Sequence, residues 1–392
     1  MNKLDQIIHD LCPNGVEYKK IKDVYTRLKG TPITAEKMKE IASNDGEIKI
    51  FAGGKTAITA HEANIPNANI TKVPAVLVQS RGVIDAVYYD KPFTFKNEMW
   101  AYTTDSPFKV KFLYYVLKNN MDYFRGAASG MGALPQISLR VTEDFKIPVP
   151  PLPVQEEIVR ILDKFTELTA ELTAELEDRK KQYKYYRDLL LNADGKEYNL
   201  DDVALIVDCP HTSPKWKESG IPVIRNYNLV DGHIDTSRLS YVDEEEYYLR
   251  IKRVIPSEND ILFSREAPIG NVGIIPKDFA CCQGQRVVLL RPKTDIVLPK
   301  FLLYVLQGGF VREQIYRVEG IGSTVSNFNI SDLKKLHFII PPIEIQKRII
   351  EKLDIFSSLS TNSSICLPAE IDARCKQYEY YRDKLLTFQE KS

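Results

Sequence analysis

VQEEIVRILDKF at 154–165, followed by KQYKYYRDLLL at 181–191, returns later in the chain as IQKRIIEKLDIF at 345–356 and KQYEYYRDKLL at 376–386. Gln155 corresponds to Gln346 and Phe165 to Phe356. Gln182, Tyr183, Tyr185, Tyr186, Arg187 and Asp188 correspond to Gln377, Tyr378, Tyr380, Tyr381, Arg382 and Asp383. A signature that occurs twice implies two equivalent units in a pseudo-two-fold frame. Such a frame suits a two-fold target or a pair of identical partners.

In the first copy Ile158, Ile161, Phe165, Leu168 and Leu172 step 3-4-3-4, the seam of a coiled coil. TAELTAEL at 169–176 then steps by four through Leu168, Leu172 and Leu176. Each such step turns the stripe by about 40° and advances it by about 6 Å. Tyr183, Tyr186 and Leu190 resume the 3-4 spacing. The pattern predicts one helix over 154–191, roughly 57 Å long at about 1.5 Å per residue. That is too long for one small domain, so it needs a partner helix. The second copy, with Leu353, Phe356, Tyr378 and Tyr381, supplies one. The tyrosines read as packing between these helices. The outer tyrosines, Arg187 and Arg382 are left for partner subunits. Phe165 to Gln182 spans 17 residues, but Phe356 to Gln377 spans 21. The excess falls in SSLSTNSSICLP at 357–368, which predicts a break and a fresh helix from about 368.

Proline-rich stretches announce both helical segments: Pro148, Pro150, Pro151 and Pro153, then Pro341 and Pro342. The stretches before them echo each other, NGVEY (14–18) with DGKEY (194–198), FLYYVL (112–117) with FLLYVL (301–306), and ISL (137–139) with ISDL (330–333). The expected order is a globular domain at 1–147, a spacer helix at 148–193, a second globular domain at 194–340 and a second helical region at 341–392. In the globular halves, 74–82 and 85–90 read as strands around a glycine turn. IPVIRNYNLVDGHI at 221–234 reads as two strands joined at Asp231-Gly232, and 259–275 as strand, glycine loop, strand. The fold class is α+β, with two globular α/β domains separated by two long antiparallel helical regions in a pseudo-two-fold coiled coil.

At 392 residues the chain exceeds one ordinary core. No apolar run approaches the roughly 18 residues of a membrane span, and no apolar secretory core opens the chain. The six cysteines form no CxxC pair, which fits a reducing compartment; a cytoplasmic protein is expected. Lys plus Arg equals Asp plus Glu at 53 each, which argues against a nonspecific polyanion binder but leaves room for a basic face.

Over essentially its whole length the chain resembles the specificity subunit of type I restriction-modification systems. The resemblance rests on the paired helical motifs, on LCPNGVEYKKIKDV at 11–24, on the proline lead-ins, and on DCPHTSPKW at 208–216 with IPVIRNYNLVDG at 221–232. The TAEL tandem resembles one branch of that family, in which such units sit in the spacer helix. The resemblance implies a non-catalytic subunit in which two target-recognition domains each read half of a bipartite duplex DNA site. It further implies that the helices set the gap between half-sites and dock two methyltransferase subunits, which two restriction subunits join. S-adenosylmethionine, ATP and magnesium are then expected in the partners and no cofactor in this chain. About 6 Å and 40° per TAEL unit compare with about 3.4 Å and 35° per base pair. Deleting residues 173–176 is therefore expected to change the tolerated gap by roughly one base pair.

Reading duplex DNA takes Arg, Lys, Asn and Gln donors on loops, with Ser and Thr on phosphates. The candidates in the first half are Lys55, Thr56, Gln79, Ser80, Arg81, Arg125 and Gln136. Those in the second are Lys215, Lys217, Arg225, Asn226, Asn228, Arg265, Gln283, Gln285, Arg286 and Ser323. Arg81, Arg225, Arg265 and Arg286 stand out, lying beside glycine or in polar loops. The chain contains no GxGxxG, no Walker loop and no Asn-Pro-Pro-aromatic tetrad. Glu47-Ile48-Lys49 resembles a nuclease triplet only superficially, since no Pro-Asp precedes it. Cys209, His211, Cys281 and Cys282 lack zinc-finger spacing, so no metal is expected. Two rival readings are a self-contained methyltransferase or nuclease with duplicated reading domains, and a coiled-coil scaffold that does not bind DNA.

Overall fold

Both proline lead-ins end a strand and open a helix, as a residue without an N–H donor dictates. In the computed structural model, which describes residues 3–54, 56–129, 134–319, 328–361 and 367–391, strand Lys146–Pro148 precedes a 40-residue helix, Leu152–Leu191. Strand His337–Ile340 likewise precedes helix Ile343–Thr361. A terminal helix, Leu367–Leu386, follows, matching the fresh helix expected near Pro368. The expected break itself falls at 362–366, outside the described residues.

The chain divides into two compact units. Unit 1 is Met1–Leu172 with Glu370–Ser392, and unit 2 is Thr173–Ala369. Each therefore holds one globular domain and a segment of both long helical regions.

In unit 1 a four-stranded antiparallel sheet runs Thr26–Leu28, Trp100–Thr103, Ala75–Gln79, Asp85–Tyr89. Beside it, Ile48–Phe51 lies antiparallel to Ala57–Ala60 and parallel to Phe93–Phe95. Unit 2 repeats both sheets. Its four strands are Ala204–Val207, Val287–Pro292, Ile261–Ser264 and Val272–Ile274. Its three are Ser240–Val242, Ile221–Ile224 and Cys282–Gln283, again with one antiparallel and one parallel neighbour. The stretch 221–234 differs from the two-strand expectation. After Ile221–Ile224 a 3-10 turn, Asn226–Asn228, interrupts the chain. A short hairpin, Leu229–Val230 with His233–Ile234, then turns at Asp231-Gly232. Both turn residues have positive φ, +48° and +86°, which the Asp-Gly pair tolerates.

A helix packs on each large sheet, Pro107–Asn119 in unit 1 and Pro299–Gln307 in unit 2, each with proline in its first turn. The long helices seal the cores. Val154, Ile158, Val159 and Leu162 are buried in unit 1; Ile349 and Leu353 are buried in unit 2. Full burial of one such side chain contributes about 1.5–3 kcal/mol. Thus the early part of the expected coiled-coil seam packs on a globular domain as well as on the terminal helix, whose Leu385 and Leu386 share its cluster. The seam reappears further along as aromatic stacks. Phe165 stacks on Tyr381 with ring centroids 5.6 Å apart in unit 1, and Phe356 on Tyr186 at 5.4 Å in unit 2. Ile161, Phe165 and Leu168 line a cavity with Arg374 and Gln377, while Leu172 and Leu176 are half-buried.

The anchoring pairs are duplicated too. Asp163 accepts from Lys111 (2.7 Å) and Tyr115 (2.5 Å); Asp354 accepts from Lys300 (2.6 Å) and Tyr304. Buried Gln155 donates to Pro150 O, and buried Gln346 to Pro341 O, tying each helix start to its proline lead-in. The assignment of Arg187 and Arg382 to partner subunits is corrected. Arg187 is buried, paired with Asp188 and seated over Tyr183. Arg382 donates to Asn119 Oδ1 at 2.6 Å and lies over Tyr378. Arg382 ties its helix to Asn119 of the same unit and Arg187 is engaged along its own helix, whereas Tyr185 and Tyr380 remain exposed.

One join separates the units. In unit 2 the chain runs covalently from Leu191 through 192–195 into strand Lys196–Asn199, which pairs with His337–Ile340. In unit 1 the equivalent strand, Tyr18–Lys20, pairs with Lys146–Pro148 and is met by the C-terminal tail. Val16 N donates to Gln389 O, Lys391 N to Val16 O (both 2.9 Å), and Tyr18 Oη to Phe388 O (3.1 Å). In each unit the end of one long helix thus lies by the start of the other, so the two run antiparallel.

Candidate nucleic-acid interface

In both units the loops leaving the sheets converge. Gly54 N donates to Arg81 O, Gly82 N to Pro135 O and Ile137 N to Ser80 O in unit 1. Ser129 and Gln136 exchange backbone hydrogen bonds. Gly54 and Gly82 turn the loops at φ +71° and +77°, a backbone region that glycine adopts without strain. This face carries Thr56, Arg81 and Gln136, all exposed. Arg125 is exposed on helix Met121–Gly126, 3.6 Å from Asp122. Lys55 and Ser323 lie outside the described residues. Gln79 and Ser80 are buried, and the Ser80 hydroxyl donates to Glu98 O. Ser80 thereby braces the loop, and the burial of both corrects their reading as DNA-facing donors.

Unit 2 gathers Trp216, Arg225, Asn226, Gln285 and Arg286 around a surface cavity of about 280 Å³. Four of these were legible as candidates; Trp216 was missed, although it sits between Lys215 and Lys217. Lys215 is exposed, and Lys217 pairs with Asp243 at 3.1 Å. Asn226 donates to Ala267 O (2.7 Å), Gln285 to Ser213 Oγ (3.3 Å), and Arg286 pairs with Glu266 (2.6 Å). Arg225 has its guanidinium 5.4 Å from the Trp216 ring centre and 4.9 Å from that of Tyr227.

Three candidates of unit 2 are corrected. Asn228 is fully buried; its amide donates to Asp235 O and Arg238 O, and its oxygen accepts from Arg225 N. Gln283 is buried, donating to Val207 O and Val287 O. Arg265 pairs with Asp208 at 2.9 Å and donates to Phe328 O, with only 12% of its side chain exposed. A buried donor left unpaired is costly, so these groups bond to their own loops.

The thiols of this region are apolar filler. Burial pushes Cys281 and Cys282 up to about 12 and raises Cys209, whose sulfur accepts Arg286 N. Among the described residues no group of three or more His, Cys, Asp or Glu could hold a metal. Glu47 is bonded to His61 and to Glu62 N, and Lys49 sits over Phe51 and Tyr89, so the Glu47–Lys49 triplet has structural partners. No helix among the described residues is long and apolar enough to cross a membrane.

A family model described as type I restriction modification DNA specificity domain matches the chain twice, over residues 13–179 and 192–372. The Escherichia coli type I restriction enzyme EcoR124I/EcoR124II specificity subunit is 29% identical over 360 residues, covering 87% of each chain. A Haemophilus influenzae chain assigned as type I restriction enzyme specificity subunit S.HindORF215P is 32% identical over 301 residues, covering 71% of this chain and 72% of its own. In fold, the chain resembles the crystal structure of a type I restriction-modification S subunit from M. genitalium, with a TM-score of 0.55 at 16% identity over 95% of both chains. It also resembles a chain from a structural study of complex assembly and conformational transition of the type I system, with a TM-score of 0.52 at 18% identity over 95% and 98%.

Proposed function

The chain belongs to the type I restriction modification DNA specificity family, and on that premise we propose that it recognises a bipartite duplex DNA sequence, each unit reading one half-site through its loop face. The observation that carries this reading is one scaffold used twice with different loop-borne donors. Thr56, Arg81 and Gln136 stand on the face of unit 1, and Arg225, Asn226, Gln285 and Arg286 on that of unit 2. Base edges in the major groove are read by such donors, while phosphates fix register. A scaffold without DNA binding has no use for two different donor sets on matching loops.

The chain acts as the recognition subunit of a larger complex in this proposal. Two methyltransferase subunits dock on the helical regions and two restriction subunits join them. Those partners hold S-adenosylmethionine, ATP and magnesium, and the TAEL stretch sets the gap between half-sites. The test is to express the chain with its methyltransferase subunit and map methylated adenines genome-wide. The expected outcome is a split motif in which Arg81→Ala alters one half only. A continuous motif, or methylation by the purified chain alone, overturns the proposal.

A further inference from the structure

Resting on that recognition role, we propose that Arg225 is the residue through which unit 2 reads a guanine of its half-site. Of the polar groups around the cavity, Asn226 and Arg286 are already engaged by Ala267 and Glu266, and the Gln285 amide is shared, in longer contacts, between His211 O and Ser213 Oγ. Arg225 differs. Its one side-chain hydrogen bond is a long 3.4 Å contact to the Tyr227 phenol, and among the described residues it has no carboxylate partner. Its donors face the cavity unspent.

Its position is nevertheless built. The backbone N–H is held by Asn228 Oδ1 at 3.0 Å, and Asn228 is itself fully buried. The aliphatic stem runs against Gly284, where an added Cβ would meet Arg225 Cγ at 3.2 Å. The guanidinium lies against the Trp216 and Tyr227 rings, and the Tyr227 phenol is tied to Ser240 Oγ at 3.2 Å. A planar cation stacked on aromatic faces has little rotamer freedom left to lose on binding. A fork of fixed direction matches two acceptors on one base edge, and guanine presents O6 and N7 in the major groove. Adenine offers N7 beside an N6 donor, which would face an arginine donor. Lys215 and Lys217 flank Trp216 and are the better phosphate contacts.

The test uses the complex of the full chain with its methyltransferase subunit. The methylated motif and the affinity for motif duplexes, each altered at one position, are compared for wild type, Arg225→Ala and Arg225→Lys. Circular dichroism confirms that the variants fold. The expected result for Arg225→Ala is loss of discrimination at one G·C pair in one half-site, by roughly 10- to 100-fold, with the other half-site unchanged. Arg225→Lys, a point charge without a fork, does not restore it. An unchanged motif in Arg225→Ala, or relaxation at an A·T pair, overturns the assignment. So does uniform weakening across all sequences that Arg225→Lys rescues, the mark of a phosphate contact. If the wild-type complex itself showed no split motif, the recognition role would fail before the variants were compared.

Discussion

The two units set the same backbone to different tasks at their loop tips. Ile137 N donates to Ser80 O in unit 1 and Phe328 N to Arg265 O in unit 2, which fixes the alignment. Ser80, Arg81 and Glu98 then correspond to Arg265, Glu266 and Arg286. In unit 1 the outward cation is Arg81, exposed and without an ion pair among the described residues. In unit 2 the same positions close into pairs, Arg265 with Asp208 and Arg286 with Glu266. The outward cation there is Arg225, at the end of the neighbouring sheet. The comparison teaches that the scaffold keeps its hydrogen-bonded frame and moves the presented charge from one loop to another.

The comparison can be tested first at its core. Leu162 and Leu353 occupy equivalent places, and both are fully buried. Either change to Ala is expected to cost about 2–5 kcal/mol. Trp100 lies in unit 1 and Trp216 in unit 2, so fluorescence during urea unfolding reports the units separately once the other tryptophan is replaced by Phe. Each Leu→Ala change should lower the transition of its own unit; equal shifts of both reporters would mean that the division into units is wrong. A second contrast concerns the loops. Asp208→Ala leaves the mostly buried Arg265 guanidinium without its carboxylate, held only by Phe328 O, at a cost of about 1–3 kcal/mol. Glu98→Gln keeps an acceptor for Gly53 N and loses only the pairing with Lys96, a cost below about 1 kcal/mol. The same unfolding measurement checks it, and comparable losses would show that unit 2 is no more locked by charge than unit 1.

The smallest effect is one of pH and belongs to unit 1. His61 is raised above 6.5 by its hydrogen bond to Glu47 and then by the charge of Asp45. A raised imidazolium stabilises fully below the unfolded value and is lost as pH rises through the folded one. The link from 43–47 to 61 should therefore loosen as pH rises through the folded value, which lies above 6.5. An NMR titration of His61 with a midpoint at or below 6.5 would refute it.

The duplicated helices, the proline lead-ins and the Asp231-Gly232 turn were legible because periodicity, a missing N–H and positive φ are local properties. The ISL and ISDL echo misled by two residues, since Ile137 aligns with Phe328 and helix Leu139–Glu143 with Ile330–Lys334. Which donors face outward was not legible. Arg225 and Arg265 look alike in sequence, each a loop arginine after an apolar strand. What separates them is remote: Asp208, 57 residues from Arg265, and Trp216 beside Arg225. Likewise the burial of Asn228 and Gln283 follows from carbonyls that only the folded loops bring near.

The noncovalent join of unit 1 has a consequence for the order of events on the ribosome. Unit 1 needs residues of Glu370–Ser392 to be complete, and these are made after the whole of unit 2. Unit 2, assembled from Thr173–Ala369 alone, has all its parts earlier. Domains ordinarily fold as they emerge, N-terminal first. Here unit 1 begins before unit 2 and closes after it, and a nascent chain that stops before Glu370 releases a finished unit 2 with an open unit 1.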